Sequence, residues 1–215
     1  MRALLKLPIV LVTGLIVLAS GFAAWFFLYS GDLPQLQSLV PVAPGFAADS
    51  CTSRPIPVIP YSAIGPNLEK AIIAAETADS GEATRMFSLQ TARWALCNFH
   101  GRMLHRQLKV LRFATQLRRK FTTPQLLTMY VNQAYFGDET YGIQAACRHY
   151  YGKRPSELSL SQAALIAGLL KAPAAYSPTR HPDRARQRRD QVLDQMVTAG
   201  AITAEEGEKG KRDPL

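Results

Sequence analysis

YGIQAACRHYYGKRPSELSLSQAALIAGLLKAPAAYSP, residues 141–178, decides the architecture of this chain. Within it, Ser159-Leu-Ser-Gln162 has the form of a capping box. The serine hydroxyl can accept from the amide three residues on, and the glutamine can reach back to the serine amide. The run that follows, up to Lys171, is apolar on nearly every side, which marks a helix buried all round. Pro173 stops it, because proline has no amide hydrogen to continue the ladder. Upstream, a helix beginning near Tyr141 carries Gly142, Ala145 and Ala146, whose small side chains permit close packing.

The same pattern extends outward on both sides. Downstream, a long helix is expected from Asp183 to Ala199, with Gly200 as its stop. Thr203-Ala-Glu-Glu206 reads as a cap for one final short turn, and the tail beyond is expected to fray. Upstream, Thr122-Thr-Pro-Gln125 is a further capping box with Pro124 in the first turn. The helix it opens buries Leu126, Leu127, Tyr130 and Val131, and Gly137 ends it. Residues 102–119 are amphipathic, with Leu104, Leu108, Leu111, Ala114 and Leu117 lining one side. Seven basic and no acidic residues lie from Phe99 through Lys120. Such like charges on one helix repel, so they point to a solvated face or to phosphate and headgroup contacts. Earlier still, Asn67 to about Ala78 forms a helix with a stripe at Leu68, Ala71, Ile72 and Ala75. A second helix runs from near Thr84 toward Leu96. No alternating β pattern of any length occurs, beyond a short strand around Ile56–Ile59, so the domain is mainly α.

The N-terminus has a different character. Arg2 and Lys6 are followed by no formal charge from Leu7 through Gly31. About 20 apolar residues suffice to cross a bilayer as a helix. The apolar core of a secretory signal peptide is usually shorter. Trp25, Phe26, Phe27 and Tyr29 stand where an interfacial aromatic belt would sit. Residues 1–31 are therefore expected to be a cytoplasmic start and a retained transmembrane anchor, with the basic end inside and the rest exported. Residues 32–60 are rich in proline and read as a spacer, residues 61–206 as the domain, and residues 207–215 as a flexible tail.

The 215-residue chain has 47% hydrophobic residues and a formal charge of +9. A basic exported domain is drawn to anionic headgroups, diphosphates or acidic polymers, and export argues against nucleic acid as the partner. Cys51, Cys97 and Cys147 form neither a zinc motif nor a dense disulfide framework. One bridge can form outside the cytoplasm, and the sequence does not pair the cysteines. His100, His105, His149 and His181 show no ligand spacing, so no protein-bound structural metal is expected.

AIIAAET (71–77), SLQTARW (88–94), LLTMYVNQAYFG (126–137), the 141–178 stretch and RRDQVLDQM (188–196) follow one another in an order that resembles glycosyltransferase family 51. This is the peptidoglycan glycosyltransferase domain, and the likeness is to its monofunctional, membrane-anchored type. The resemblance covers roughly residues 61–206. It implies a lysozyme-like helical glycosyltransferase domain behind an N-terminal transmembrane helix, in the bacterial cytoplasmic (inner) membrane. The activity implied joins lipid II units into nascent peptidoglycan, with inversion at the sugar carbon and release of polyprenyl diphosphate. No cofactor is tightly bound, although a divalent cation accompanies the leaving diphosphate in the family. Cell-wall synthase proteins are the protein partners implied.

Carried over position by position, the resemblance makes Glu76 the general base toward the acceptor hydroxyl. Glu76 falls near a helix C-terminus, where the local dipole disfavours a carboxylate's charge. The aspartate that follows the glutamate in the family is Thr77 here. In the second motif Ser88, Gln90, Ala92 and Arg93 agree with the pattern, with Arg93 in place of a lysine and able to hold a diphosphate through several donors. The scaffold residues Asn132, Gly137, Gly142 and Lys153 agree as well, and Arg188 matches the arginine of the closing motif. Ser88, Gln90, Arg93, Asn132, Lys153 and Arg188 are thus the expected contacts to diphosphate or glycan. Two departures matter. Val110 occupies the place of a further glutamate, and Thr128 replaces another. The connection between Glu76 and Phe87 is also short, where the family has a segment that helps cover the donor.

Three functions remain open on these residues. The first is an active, divergent polymerase of lipid II. The second is a noncatalytic member that binds lipid II or glycan in cell-wall synthesis. The third is a lysozyme-like cleaving enzyme, which commonly needs two suitably spaced carboxylates; Glu82 is too close in sequence to be assigned as the second.

Overall fold

The structure, a computed structural model, describes residues 12, 14–22, 45–48, 55–78, 82–97 and 103–215. The chain divides into two units, residues 1–34 and 35–215. In the first, residues 14–22 are helical (α1). Leu15, Ile16, Val17, Leu18 and Phe22 are exposed, and the Ser20 hydroxyl donates back to the carbonyls of Ile16 and Val17. Among the described residues no helix is long and apolar enough to cross a membrane. The rest of the anchor expected over residues 1–31 lies outside the described residues.

The second unit is mostly helical. A short antiparallel hairpin, β1 (Gly45–Ala48) with β2 (Pro55–Val58), pairs Gly45 with Val58 and Ala48 with Pro55. Among the described residues seven helices follow: α2 (Pro66–Thr77), α3 (Ala83–Ala95), α4 (Met103–Lys120), α5 (Thr123–Gln133), α6 (Ile143–Tyr151), α7 (Leu160–Leu169) and α8 (Pro182–Thr198). An eighth, α9 (Ala204–Arg212), closes the chain. In one group α2 packs on α7 and α8, with α9 against α8; in the other α3 packs on α4 and α5. Leu68, Ile72, Leu165, Val192 and Met196 fill the first group, and Phe87, Phe113, Leu117 and Leu126 the second.

The helix starts follow their local chemistry. Capping boxes stand at Thr122/Gln125, Ser159/Gln162 and Thr203/Glu206. The α7 run is buried from Ala163 through Leu169. Asn67 is inside α2 rather than at its cap, with Gly65 at the cap in a left-handed conformation (φ 83°). Its amide side chain instead donates to the Leu158 carbonyl. At Gly65 an added Cβ would stand 2.6 Å from Ser156 Cα, so the close approach of that turn requires glycine.

Three expectations are corrected. On α4 the buried residues are Lys109, Val110, Phe113, Ala114 and Leu117, while Leu104 and Leu111 are exposed. Periodicity alone does not say which of the apolar residues at helical spacing a neighbour covers. The stretch read as a spacer ends inside the domain, because Val58 and Ile59 are buried. The tail expected to fray is instead α9. Two glycines let it approach α8 closely: a Cβ at Gly207 would meet Val197 Cγ2 at 2.8 Å, and one at Gly210 would meet Leu193 Cδ1 at 3.2 Å.

Candidate functional site

Glu76 stands in the last turn of α2, half-buried. Its Oε1 accepts a hydrogen bond from the Tyr130 hydroxyl of α5 at 2.9 Å. The Tyr130 ring in turn stacks on Phe87 of α3, centroids 5.9 Å apart and planes at 27°. Three helices therefore meet at the one carboxylate that the sequence nominated as a base. Burial first, and then the Glu76 carboxylate, push the Tyr130 phenol well above its usual range, so it stays a hydrogen donor. Thr77, where the resemblance expects an aspartate, turns its hydroxyl onto the Ile73 carbonyl of its own helix at 2.7 Å.

The second motif lies along α3. Ser88 is fully buried, and its hydroxyl donates to the Arg85 carbonyl of the same helix. Gln90 is half-buried, and Arg93 is exposed. Arg93 borders a groove of about 500 Å³ between α3 and α4, together with Leu89, Met103, Arg106, Val110 and Leu111. Two guanidinium groups thus share one open groove with apolar walls, an arrangement suited to an anionic head carrying an apolar chain. Val110 presents a buried isopropyl group there, where the resemblance expects a carboxylate. Among the described residues, the lining of this groove includes neither Glu76 nor Arg188.

The remaining expected contacts are dispersed. Asn132 is fully buried, and both ends of its amide engage Ile59: Nδ2 donates to the carbonyl at 2.9 Å, and Oδ1 accepts from the amide at 3.0 Å. Lys153 donates to Gln162 Oε1 at 3.0 Å, bracing the cap of α7. Arg188 is 3% exposed. Its Nε donates to the Gly168 carbonyl at 3.4 Å, and its guanidinium carbon lies 5.9 Å from the Tyr176 ring centroid. The close crossing of α7 and α8 depends on Gly168, where a Cβ would fall 2.9 Å from Arg188 Cγ.

Two features escaped the sequence reading. A tyrosine in the buried stripe of α5 implied a polar partner on a facing helix, since buried phenols are usually hydrogen-bonded; that partner is Glu76. The other is Asp138, in a turn where Asp138 and Glu139 both take left-handed φ of 48° and 57°. The Asp138 carboxylate accepts from the hydroxyls of Thr179 (2.8 Å) and Ser177 (3.3 Å), and pairs with Arg180 Nε at 3.3 Å. His149 Nε2 lies 3.8 Å away. The Thr179 hydroxyl foremost, then Ser177 and Arg180, hold the Asp138 carboxyl below its ordinary value, against burial. Cys97 is disulfide-bonded, and Cys147 is free and buried, its thiol pushed up to about 12 by burial.

Among the described residues no group of three or more His, Cys, Asp or Glu side chains can hold a metal ion.

The transglycosylase family model matches residues 85–197, which is more than half of the chain. Penicillin-binding protein 1A of Aquifex aeolicus is 45% identical over 114 residues, covering 53% of this chain and 16% of that protein. Penicillin-binding protein 2a of Streptococcus pneumoniae is 37% identical over 142 residues, covering 66% of this chain and 19% of that protein. The chain thus spans less than a fifth of the length of these relatives. A crystal structure of penicillin-binding protein 1A from Haemophilus influenzae aligns at 23% identity and a TM-score of 0.48, covering 75% of this chain and 18% of that one. With its helices in the order its motifs require and a transglycosylase match running from α3 to α8, the chain belongs to glycosyltransferase family 51, the transglycosylases.

Proposed function

We propose that this domain is a lysozyme-like peptidoglycan glycosyltransferase that extends glycan strands from lipid II at the outer face of the bacterial cytoplasmic membrane. The observation that carries the reading is the Glu76 carboxylate, offered at the end of α2 and fixed there by Tyr130. Glu76 takes the proton of the acceptor sugar hydroxyl. The freed oxygen bonds to the anomeric carbon of the donor strand, and the polyprenyl diphosphate departs with the electrons of the old bond. Inversion follows from attack opposite the leaving group. Arg93 and Arg106 supply fixed positive charge for the departing diphosphate. A divalent cation enters this scheme only as a counter-ion carried by that diphosphate. Ser88, Asn132, Lys153 and Arg188 act by holding helices in place, and Gln90 flanks Arg93 on α3. The exposed apolar residues of α1 support attachment to a membrane.

A second reading, a noncatalytic member that binds lipid II or glycan beside cell-wall synthase proteins, is favoured by Val110 and Thr128. Neither can replace the family's acids: the Thr128 hydroxyl is spent on the Pro124 carbonyl at 2.7 Å. Full-length protein incubated with labelled lipid II separates the two. Polymer from the wild type and none from Glu76→Gln supports catalysis. Saturable lipid II binding with no polymer, beside an active control enzyme, supports the second reading.

A further inference from the structure

We propose that the exposed face of α4 is a membrane contact of the domain itself: Met103, Leu104 and Leu111 dip into the headgroup layer of an anionic bilayer, and the arginines beside them meet its phosphates. The contact stands or falls independently of whether the domain polymerises lipid II.

Among the described residues of the 35–215 unit, three large apolar side chains are more than half exposed, and all three stand on the first turns of α4: Met103 (77%), Leu104 (67%) and Leu111 (55%). Leu104, Leu111 and Arg118 are spaced seven apart, so they share one side of the helix, turned from the side on which Val110, Phe113 and Leu117 are buried. Arg106, Arg118, Arg119 and Lys120 are exposed on the same helix, and the chain from Phe99 through Lys120 has no acidic residue. An exposed apolar stripe beside basic residues is the pattern of a helix lying in the plane of a membrane interface, with its apolar side in the headgroup boundary. Arginine suits such a place, because its long stem can lie along apolar surface while the guanidinium stays at phosphate level. Anionic lipid adds attraction for every basic residue near the surface. A protein partner fits less well. The stripe from Met103 to Leu111 is about 12 Å long, two turns of one helix, whereas a specific protein interface ordinarily buries about 800 Å² on each partner. Met103 and Leu111 also line the groove that carries Arg93 and Arg106, so the groove is contiguous with the lipid-facing stripe.

Spin labelling of the full chain tests this without recourse to activity. Cys97 is disulfide-bonded and Cys147 is buried, so a nitroxide goes to the cysteine introduced by Leu104→Cys, by Leu111→Cys or, as a control on α9, by Glu205→Cys. In vesicles of phosphatidylcholine with phosphatidylglycerol, the labels at 104 and 111 are expected to gain collisions with oxygen and to lose collisions with a neutral nickel chelate, relative to the label at 205. The shift should shrink in phosphatidylcholine alone. It should also shrink when Arg118→Gln and Arg119→Gln are combined, with an unchanged thermal midpoint as the check on folding. Labels at 104 and 111 that stay as open to the chelate as the one at 205 overturn the proposal. A shift of equal size with and without anionic lipid, or with and without the two arginines, overturns it too. So does shielding from both reagents already in detergent, which would mark a protein partner or a second copy of this chain on that face.

Discussion

The side chain of Asn132 satisfies both backbone groups of Ile59, 73 residues earlier in the chain, with bonds of 2.9 and 3.0 Å. All of these atoms are buried, so the pair works as a clasp that joins the end of β2 to α5. Asn132→Leu has nearly the right volume and neither polar atom. It strands an amide and a carbonyl away from water, at about 1–3 kcal/mol each. Urea denaturation should show a loss of about 2–4 kcal/mol, with lipid II affinity kept by the fraction that remains folded. Undiminished stability with lost affinity would return Asn132 to the role of a direct ligand.

Gly168 is where α7 and α8 cross. Alanine is the better helix former by about 1 kcal/mol, so propensity alone favours Gly168→Ala. The added carbon, however, would lie 2.9 Å from Arg188 Cγ, in the middle of a side chain that is itself buried. Overpacking of this kind costs about 1–3 kcal/mol, and the strain wins. A net destabilisation of about 1 kcal/mol is expected in equilibrium unfolding; a stabilised variant would mean that Arg188 gives way freely.

Asp138 fixes the acid limb of stability. Its carboxyl sits below its ordinary value of 3.8, chiefly through the Thr179 hydroxyl and with help from Ser177, Arg180 and His149. A depressed folded value means that the contribution is fully present above the unfolded value. It is lost as the pH falls through the folded one. The wild type should therefore lose stability as the pH drops below about 4. Asp138→Asn should cost about 2 kcal/mol at pH 7 and show a shallower decline in the same acid range, measured by denaturant midpoints at stepped pH. Parallel wild-type and variant curves would exclude this carboxylate as the cause.

The disulfide at Cys97 and the buried free thiol at Cys147 give a covalent readout. Native protein should resist iodoacetamide, since Cys147 is buried and its thiol is held near 12. Unfolded without reductant, the chain should take up one alkyl group, at Cys147. After reduction it should take up three. Uptake of three groups before reduction would remove the disulfide.

Local chemistry was what the sequence made legible. The capping boxes at Thr122, Ser159 and Thr203 lie within four residues each, and the apolar run that buries α7 is one unbroken local stretch; all four appear as read. The α4 stripe departs from its spacing because an apolar residue is covered only where a neighbour reaches it, and Leu104 is exposed. The Asp138 network was invisible because its partners come from α6 and from the segment before α8. Glu76 could be nominated by motif, but its restraint by Tyr130 depends on two helices far apart in the chain. Asn132 and Lys153 were chosen by the same motifs, yet in the fold they brace a strand end and a helix cap.

One buried arginine ties the C-terminal carbonyls of α9 to α8. Arg189 is 1% exposed on α8, and its NH1 and NH2 donate to the carbonyls of Asp213 (2.6 Å) and Lys211 (2.7 Å), while Nε bonds Asp190. A helix C-terminus leaves its last carbonyls without amide partners and carries partial negative charge. A buried guanidinium meets both needs with one planar fork. Arg189→Lys offers a single point charge on a flexible stem and cannot reproduce the fork. Arg189→Met keeps the apolar stem and none of the donors. Hydrogen exchange over residues 204–212 should quicken in both variants, more in Arg189→Met, while exchange in α7 changes little. The exposed ion pair of Lys211 with Asp194 should not compensate, since surface pairs contribute about 0–1 kcal/mol. If α9 exchanges no faster without the guanidinium, then the glycine contacts of Gly207 and Gly210 with α8 are what retain it, and Gly207→Ala should release it instead.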